Sequence, residues 1–195
     1  PYAPSPAVLR GNERPVVTIV TPFFNTGPVF EETARCVLGQ SLQNFEWLIV
    51  NDGSKNAEAL ATLARYRELA DRDPRVRVID HKANSGLSAA RNTGFREARA
   101  PYVFMLDSDD LIEPTTIEKC ALFLECNPAF SFVKGYTVGF AGQQYLWTRG
   151  YHDGAAILSE NIVTATTMVR RDVHARVGGF DETIRGGLED WEFWL

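Results

Sequence analysis

The sequence predicts an α/β domain built on a mostly parallel sheet, and three observations carry that prediction. Short apolar runs alternate four times with segments of helical periodicity, the pattern of parallel strands joined by helical crossovers. Each run stops abruptly at a polar or Gly-rich loop, where open α/β sheets keep their ligands. The chain has 195 residues, 45% hydrophobic and 23% charged, which suits one globular domain with a real core.

Residues 1–14 open on Pro-Tyr-Ala-Pro-Ser-Pro and read as a proline-rich linker. The folded domain is expected over 15–195. Val16 to Thr21 is a β-branched run and hence a strand, ending at Pro22-Phe23-Phe24-Asn25. Pro28 suits a first helical position, and Val29, Thr33, Cys36, Val37 and Gln40 trace a helix to about Ser41. Phe45 to Val50 is a second strand closed by Asn51-Asp52-Gly53-Ser54. A helix follows, with Ala57, Leu60, Leu63, Ala64 and the stretch Tyr66 to Leu69 on its inner side. Val76 to Ile79 is the third strand. Asn84-Ser85-Gly86 opens a helix carrying Leu87, Ala90, Gly94 and Ala98, and Tyr102 to Leu106 is the fourth strand. Another helix runs from about Pro114 to Cys126. From Phe130 to Arg170 the regularity fails, and aromatic, Gly-rich segments predict shorter strands.

A net charge of −5 and a pI near 5.3 give no support for nucleic-acid binding. An anionic substrate would need local compensation from a metal, from Arg or from helix N-termini. Cys36, Cys120 and Cys126 are odd in number and fall within predicted helices, so reduced, buried thiols are expected. No apolar run is long enough to cross a bilayer and no signal peptide is recognisable. A location in the cytoplasm, or at the cytoplasmic face of a membrane, is the expectation. The chain stops inside the apolar, helix-like Trp191-Glu192-Phe193-Trp194-Leu195, so a domain truncated at its C-terminus, part of a longer protein, is also expected.

The densest chemistry lies in Leu106-Asp107-Ser108-Asp109-Asp110. Acids packed this closely repel one another unless water, a cation or protonation relieves them. Mg²⁺ or Mn²⁺ would do so through one or two carboxylates plus substrate phosphates. An acidic turn capping the next helix is the other reading, and both stay open on these residues alone. Neither GxGxxG nor GxxxxGK[ST] occurs, so no dinucleotide or Walker loop is supported. His81, His152 and His174 are dispersed and read as surface or loop residues. Tyr145, Trp147 and Tyr151 suit either stacking on a sugar or packing.

Taken in order, TPFFN, VNDGS, NSGLSAARNTG, LDSDD, GGFDE and LEDWEFW resemble the inverting family 2 glycosyltransferases of GT-A fold. That resemblance implies a Rossmann-like sheet with a nucleotide-binding half over 15–110 and an irregular acceptor-side half over 111–195. It implies a nucleotide-diphosphate sugar donor, UDP-linked, a hydroxyl acceptor and Mn²⁺ or Mg²⁺. Thr21 and Pro22 would line the nucleotide pocket, Asp52 would accept the imide N–H of the base, and Gly86, opening the next helix, would also belong to the nucleotide site. Arg91, at the edge of that helix's packed face, would reach the nucleotide or pyrophosphate. Asp107 would sit near the ribose and Asp109 on the metal, with Asp110 supporting or capping. Gly179 and Phe180 would lie between donor and acceptor sites. Asp190 would be the catalytic base, with Glu189 and Trp191 beside it.

Two rivals remain at this point. A sugar nucleotidyltransferase should carry a basic, Gly-rich first loop, which TPFFNTGP lacks. A non-catalytic binding module keeps the fold, but decay is hard to reconcile with the full set of acids.

Overall fold

Val17–Phe23 (β1) is the central strand, and every one of its residues is buried. Phe45–Asn51 (β2) is buried throughout as well, as expected for parallel strands covered on both faces. The computed structural model describes residues 14–140, 142, 144–147 and 156–195; residues 1–13 of the expected linker, Tyr151 and His152 lie outside the described residues. Between these strands runs α1, Phe30–Leu38. Then come α2 (Ala57–Ala70), β3 (Val76–Asp80), α3 (Leu87–Glu97), β4 (Tyr102–Met105) and α4 (Thr116–Cys126). The later part holds β5 (Phe132–Lys134), β6 (Thr137–Gly139), β7 (Tyr145–Trp147), β8 (Thr167–Arg170), α5 (Arg171–Val177) and α6 (Glu189–Trp194).

The main sheet has six strands in the order β3-β2-β1-β4-β8-β5, with β6 and β7 as a separate pair. The first four are parallel, and β8 joins β4 antiparallel. The alternating pleat divides the strand residues between two cores. Val17, Ile19, Phe23, Phe45, Trp47 and Ile49 face α1, α2 and α4. Val20, Leu48, Val50, Val103 and Met105 face α3 and the C-terminal segment. On the first face Phe23, Phe30, Trp47 and Tyr66 form one aromatic cluster, with ring centroids 4.8–5.7 Å apart. That geometry adds to the area these rings bury.

The helical face of α2 is not the expected one. Ala59, Thr62, Leu63 and Tyr66 are buried while Leu60 is 43% exposed, and Ala57 and Ala64 point outward too. The correct stripe is the i, i+3, i+4, i+7 set one step round the helix, with a threonine in place of an apolar residue. Asn56 caps this helix by accepting from the N–H groups of Glu58 and Ala59. Leu87 is exposed, contrary to its expected inner position. The three cysteines are free, but only Cys120 is buried, and burial pushes its thiol up to about 11. Cys126 is exposed because it faces outward on the last turn of α4.

Gly94 sets the distance between α3 and the sheet. A Cβ there would collide with both methyl groups of Val20 on β1. Gly94→Ala is therefore expected to destabilise by about 1–3 kcal/mol through overpacking, reversing the usual gain of Ala over Gly within a helix. Urea denaturation of Gly94→Ala, Val20→Ala and the double variant checks this, with the double variant recovering part of the loss.

Candidate active site

Loops leaving the carboxyl ends of β1, β2 and β4 meet over the first turns of α3 and leave a cleft of about 330 Å³. Its walls are Pro22, Phe23 and Phe24 from the first loop, Asp52 from the second, Asn84, Leu87 and Ala90 around the start of α3, and Asp107, Ser108 and Asp109 from the fourth. Three of these residues are carboxylates and none is basic.

Hydrogen bonds lace the loops together. Asn25 sits at φ 52, and its side-chain oxygen accepts from the N–H groups of Lys55 and Asn56 at 2.9 and 3.0 Å. The Asn25 N–H donates to Ser54 Oγ, and the Asp52 N–H to the Phe23 carbonyl. Thr26 and Ser108 share a 2.7 Å hydroxyl contact, which ties the first loop to the acidic one. Gly53 is required by close approach. It holds φ 70, and a Cβ there would fall 2.6 Å from the backbone of Ala83 and Asn84.

Asp52 is buried and its carboxylate is organised from three directions. Oδ1 accepts from the Ser85 N–H and meets His81 Nδ1, both at 2.8 Å, and Oδ2 accepts from the Gly86 N–H at 2.8 Å. Gly86 opens α3 as expected, but it is not among the residues lining the cleft, and its N–H, expected at the nucleotide, is given to Asp52. His81 lies in the loop after β3, within the surface-or-loop expectation, but its ring is a partner of Asp52 that the sequence reading did not foresee. The register pairs Asn51 with Asp80, which sets the next residues, Asp52 and His81, side by side.

Thr21 and Arg91 depart from expectation. Thr21 is fully buried, points to the α1 side of the sheet and accepts from Trp47 Nε1 at 3.0 Å. Pro22, one residue on and on the opposite face, lines the cleft, as do Phe23 and Phe24 where the strand gives way to the loop. Arg91 is not at an edge: its side chain is 1% exposed. Nη1 donates to Glu189 Oε1 at 2.6 Å and Nη2 to Asp107 Oδ1 at 3.1 Å, with the Phe180 ring 5.6 Å away. Burial alone would lower its pKa, but the charges of Asp107 and Glu189 outweigh that and raise it. The guanidinium is committed to the protein, so a direct reach to a nucleotide is not what this geometry offers.

Asp109 is exposed, borders the cleft and has no ion-pair or hydrogen-bond partner among the described residues. Asp110 accepts from the Thr166 hydroxyl at 2.8 Å. Its carboxyl is pushed above the usual range by desolvation and by the charges of Asp107 and Asp109, against the Thr166 bond. The cluster is thus short of positive charge. No group of three His, Cys, Asp or Glu side chains forms a protein cage among the described residues. One free carboxylate beside an anion-sized cleft fits Mg²⁺ or Mn²⁺, which take few protein ligands and fill the rest with phosphate and water.

Further along, Asn92 is a residue the sequence reading passed over. Its Nδ2 donates to the Phe180 carbonyl and to Glu182 Oε1, and its Oδ1 accepts from the Phe180 N–H at 2.9 Å. Gly179 donates its N–H to the His174 carbonyl. Phe180 is 3% exposed and stacks on Phe193 at 4.1 Å, so it is core rather than a cleft residue. His174 stacks on Phe95, and burial with Arg96 nearby lowers its pKa to about 4. It too is a packed residue rather than a surface one. Glu189 is buried against Arg91, whereas Asp190 is partly exposed, accepts from Asn161 Nδ2 at 3.1 Å and does not line the cleft. Trp191 donates Nε1 to the Ile157 carbonyl. Tyr145 and Trp147 lie on β7, away from the cleft lining.

Sheet order, cleft position and acidic loop together define an α/β protein of the GT-A class. The chain belongs to Glycosyl transferase family 2, whose profile matches residues 18–180. EpsJ of Bacillus subtilis (strain 168), an uncharacterized glycosyltransferase, is 38% identical over 105 residues, covering 54% of this chain and 29% of EpsJ. TuaG of the same organism, a putative teichuronic acid biosynthesis glycosyltransferase, is 36% identical over 128 residues, covering 65% of this chain and 49% of TuaG. The chain thus spans half or less of these two curated relatives. S. aureus TarS 1–349, solved in complex with UDP, superposes with a TM-score of 0.74 at 21% identity, over 91% of this chain and 53% of that one. The mannosyltransferase PcManGT from Pyrobaculum calidifontis, solved with GDP-Man and Mn²⁺, gives 0.67 at 19% identity, over 98% of this chain and 53% of its own. At those identities the structures establish the fold.

The raised pKa of Asp110 has a defined sign. Its contribution to stability is full below the ordinary carboxylate value, about pH 4, and is lost as pH rises through the higher folded value. Asp110→Asn is expected to raise Tm at neutral pH in EDTA, with the gain disappearing toward about pH 3. Circular-dichroism melts across that range check it.

Proposed function

We propose that this chain is the catalytic domain of an inverting, metal-dependent glycosyltransferase that takes its sugar from a nucleotide diphosphate, UDP-linked, and delivers it to a hydroxyl acceptor. The observation that carries this reading is the cleft at the carboxyl ends of β1, β2 and β4, walled by Asp52, Asp107 and Asp109. Family membership and relatives solved with UDP or with GDP-Man and Mn²⁺ support it. Residues 15–110 form the donor-binding half and 111–195 the acceptor side.

In this reading Asp52 accepts the imide N–H of the base, and Pro22 and Phe23 flank the nucleotide. Asp107 turns toward the ribose, fixed by Arg91. Asp109 would hold Mn²⁺ or Mg²⁺. The ion, when bound, supplies positive charge to the diphosphate as it departs. Asp190 removes the proton from the acceptor hydroxyl, whose oxygen attacks the anomeric carbon on the face opposite the diphosphate. Glu189 positions Asp190 by tying α6 to Arg91. Among the described residues no helix is long and apolar enough to cross a membrane; we place the protein in the cytoplasm or at the cytoplasmic face of a membrane.

Two experiments test this. Calorimetric titration of UDP should show binding that needs Mn²⁺ or Mg²⁺ and weakens sharply in Asp109→Asn; equal affinity in EDTA overturns the metal role. Asp190→Asn keeps the shape of the side chain and removes the proton acceptor. Donor binding should survive while single-turnover transfer falls by about 10²–10⁴-fold, the usual loss for a general base. NMR of the product should show inverted anomeric configuration, and a retained configuration sinks the mechanism.

A further inference from the structure

Asp52 does not stand alone at the cleft wall. Behind it runs a chain of hydrogen-bonded polar groups. Arg96 Nη2 lies 2.8 Å from Thr93 Oγ1, which lies 2.9 Å from His81 Nε2, and His81 Nδ1 lies 2.8 Å from Asp52 Oδ1. A guanidinium only donates and a carboxylate only accepts. Arg96 therefore donates to the Thr93 oxygen, and Thr93 Oγ1 and His81 Nε2 share the next hydrogen bond. Nδ1 carries a proton and gives it to Asp52, because a carboxylate only accepts.

The effect falls on Asp52. A carboxylate offers roughly four acceptor positions. His81 and the Ser85 N–H fill those of Oδ1, and the Gly86 N–H fills one of Oδ2. One position on Oδ2 remains, on a residue that borders the cleft. Two of the three bonds come from the backbone of the loop before α3. The third comes from His81, at the end of β3, and it opposes rotation of the carboxylate plane from the other side.

We propose that His81 is a positioning residue that sets base selectivity: it holds Asp52 so that its one free acceptor position meets a ring N–H of the bound nucleotide base. The proposal rests on the reading of Asp52 as the base acceptor and adds the residue that makes this acceptor selective. His81 itself is not among the residues lining the cleft.

The test compares UDP with its N3-methyl analogue, which lacks the ring N–H, by calorimetry in Mn²⁺ with inorganic pyrophosphate as a third ligand. The unaltered chain should prefer UDP, and Asp52→Ala should lose that preference. His81→Leu should cut the preference by about tenfold, the scale of one hydrogen bond to a charged group. His81→Asn, whose amide nitrogen overlays Nδ1, should restore most of it. Pyrophosphate affinity should stay constant across the His81 variants, which general damage to the cleft would not allow. If His81→Leu does not fold, Thr93→Val removes the partner of Nε2 and should reduce the preference in the same direction. A folded His81→Leu or Thr93→Val with the full preference, beside an Asp52→Ala that has lost it, overturns the role of His81 alone. Parallel loss of pyrophosphate binding also overturns it. Equal binding of UDP and its methyl analogue by the unaltered chain overturns the reading of Asp52, and His81 falls with it.

Discussion

The arrangement of this site depends on one buried cation. Taking a guanidinium out of water costs several kcal/mol unless its charge and donors are met. Asp107 on one side and Glu189 on the other meet the charge of Arg91 and both of its terminal nitrogens, while its buried Nε has no hydrogen-bond partner among the described residues. Those carboxylates lie 16 and 98 residues away along the chain. The first belongs to the acidic loop after β4, and the second opens the last helix. That helix spans only Glu189–Trp194, far too short to persist by itself in water. Its place is set by packing of Phe193 and Trp194 and by this ion pair. The next residue of α3 does the same work for another segment, because Asn92 clamps both backbone groups of Phe180. Two consecutive residues thus fasten two distant stretches to the donor-side sheet.

Helix α3 is the spine on which the cleft is assembled. Gly86, just before its first turn, holds Asp52; Arg91, one turn in, holds Asp107; Thr93, further on, holds His81. All three contacts require α3 to lie close on the sheet, and Gly94 packed on Val20 permits that approach. Close packing and site geometry are therefore one constraint. A helix standing farther from β1 would break the Asp52 and Asp107 contacts together.

Much of this was legible in the residues. Four apolar runs predicted the four parallel strands within two residues at each end, because buried parallel strands carry a strong local signal. The motif loops, which follow those strands, fell where expected, and Pro22, Asp52, Asp107 and Asp109 line one cleft. The failures have distinct causes. The spacing placed Arg91 at the edge of a helical face, but helical periodicity says nothing of what covers that edge. Here the cover is Glu189 and Phe180, supplied by a segment some 90 residues on. Thr21 was one residue out of phase because the pleat of β1 continues through Pro22 to Phe23. His81 and Asn92 were missed because their partners are set by strand register and by tertiary contact, neither of which a linear reading contains.

The charges around the cleft bear on the proposed chemistry. Asp52, Asp107, Asp109, Asp110 and Glu189 gather around the cleft; the Arg91 guanidinium is already bonded to two of them, and the Arg185 guanidinium, beside Ser85 and Gly86, donates to the Ser85 carbonyl. The surplus is negative, and the charges of Asp107 and Asp109 add to the desolvation that raises the pKa of Asp110. A nucleotide diphosphate entering such a site meets repulsion at short range, where salt screens least. The N–H groups at the start of α3 offer a modest counter-field, but the first two donors before it, from Ser85 and Gly86, are already given to Asp52. On the proposed reading the missing charge must therefore arrive with the ligand. Donor and divalent ion would then enter as linked species, each raising the affinity of the other. Asp109, exposed and without a partner of its own among the described residues, is the group left free to receive that ion.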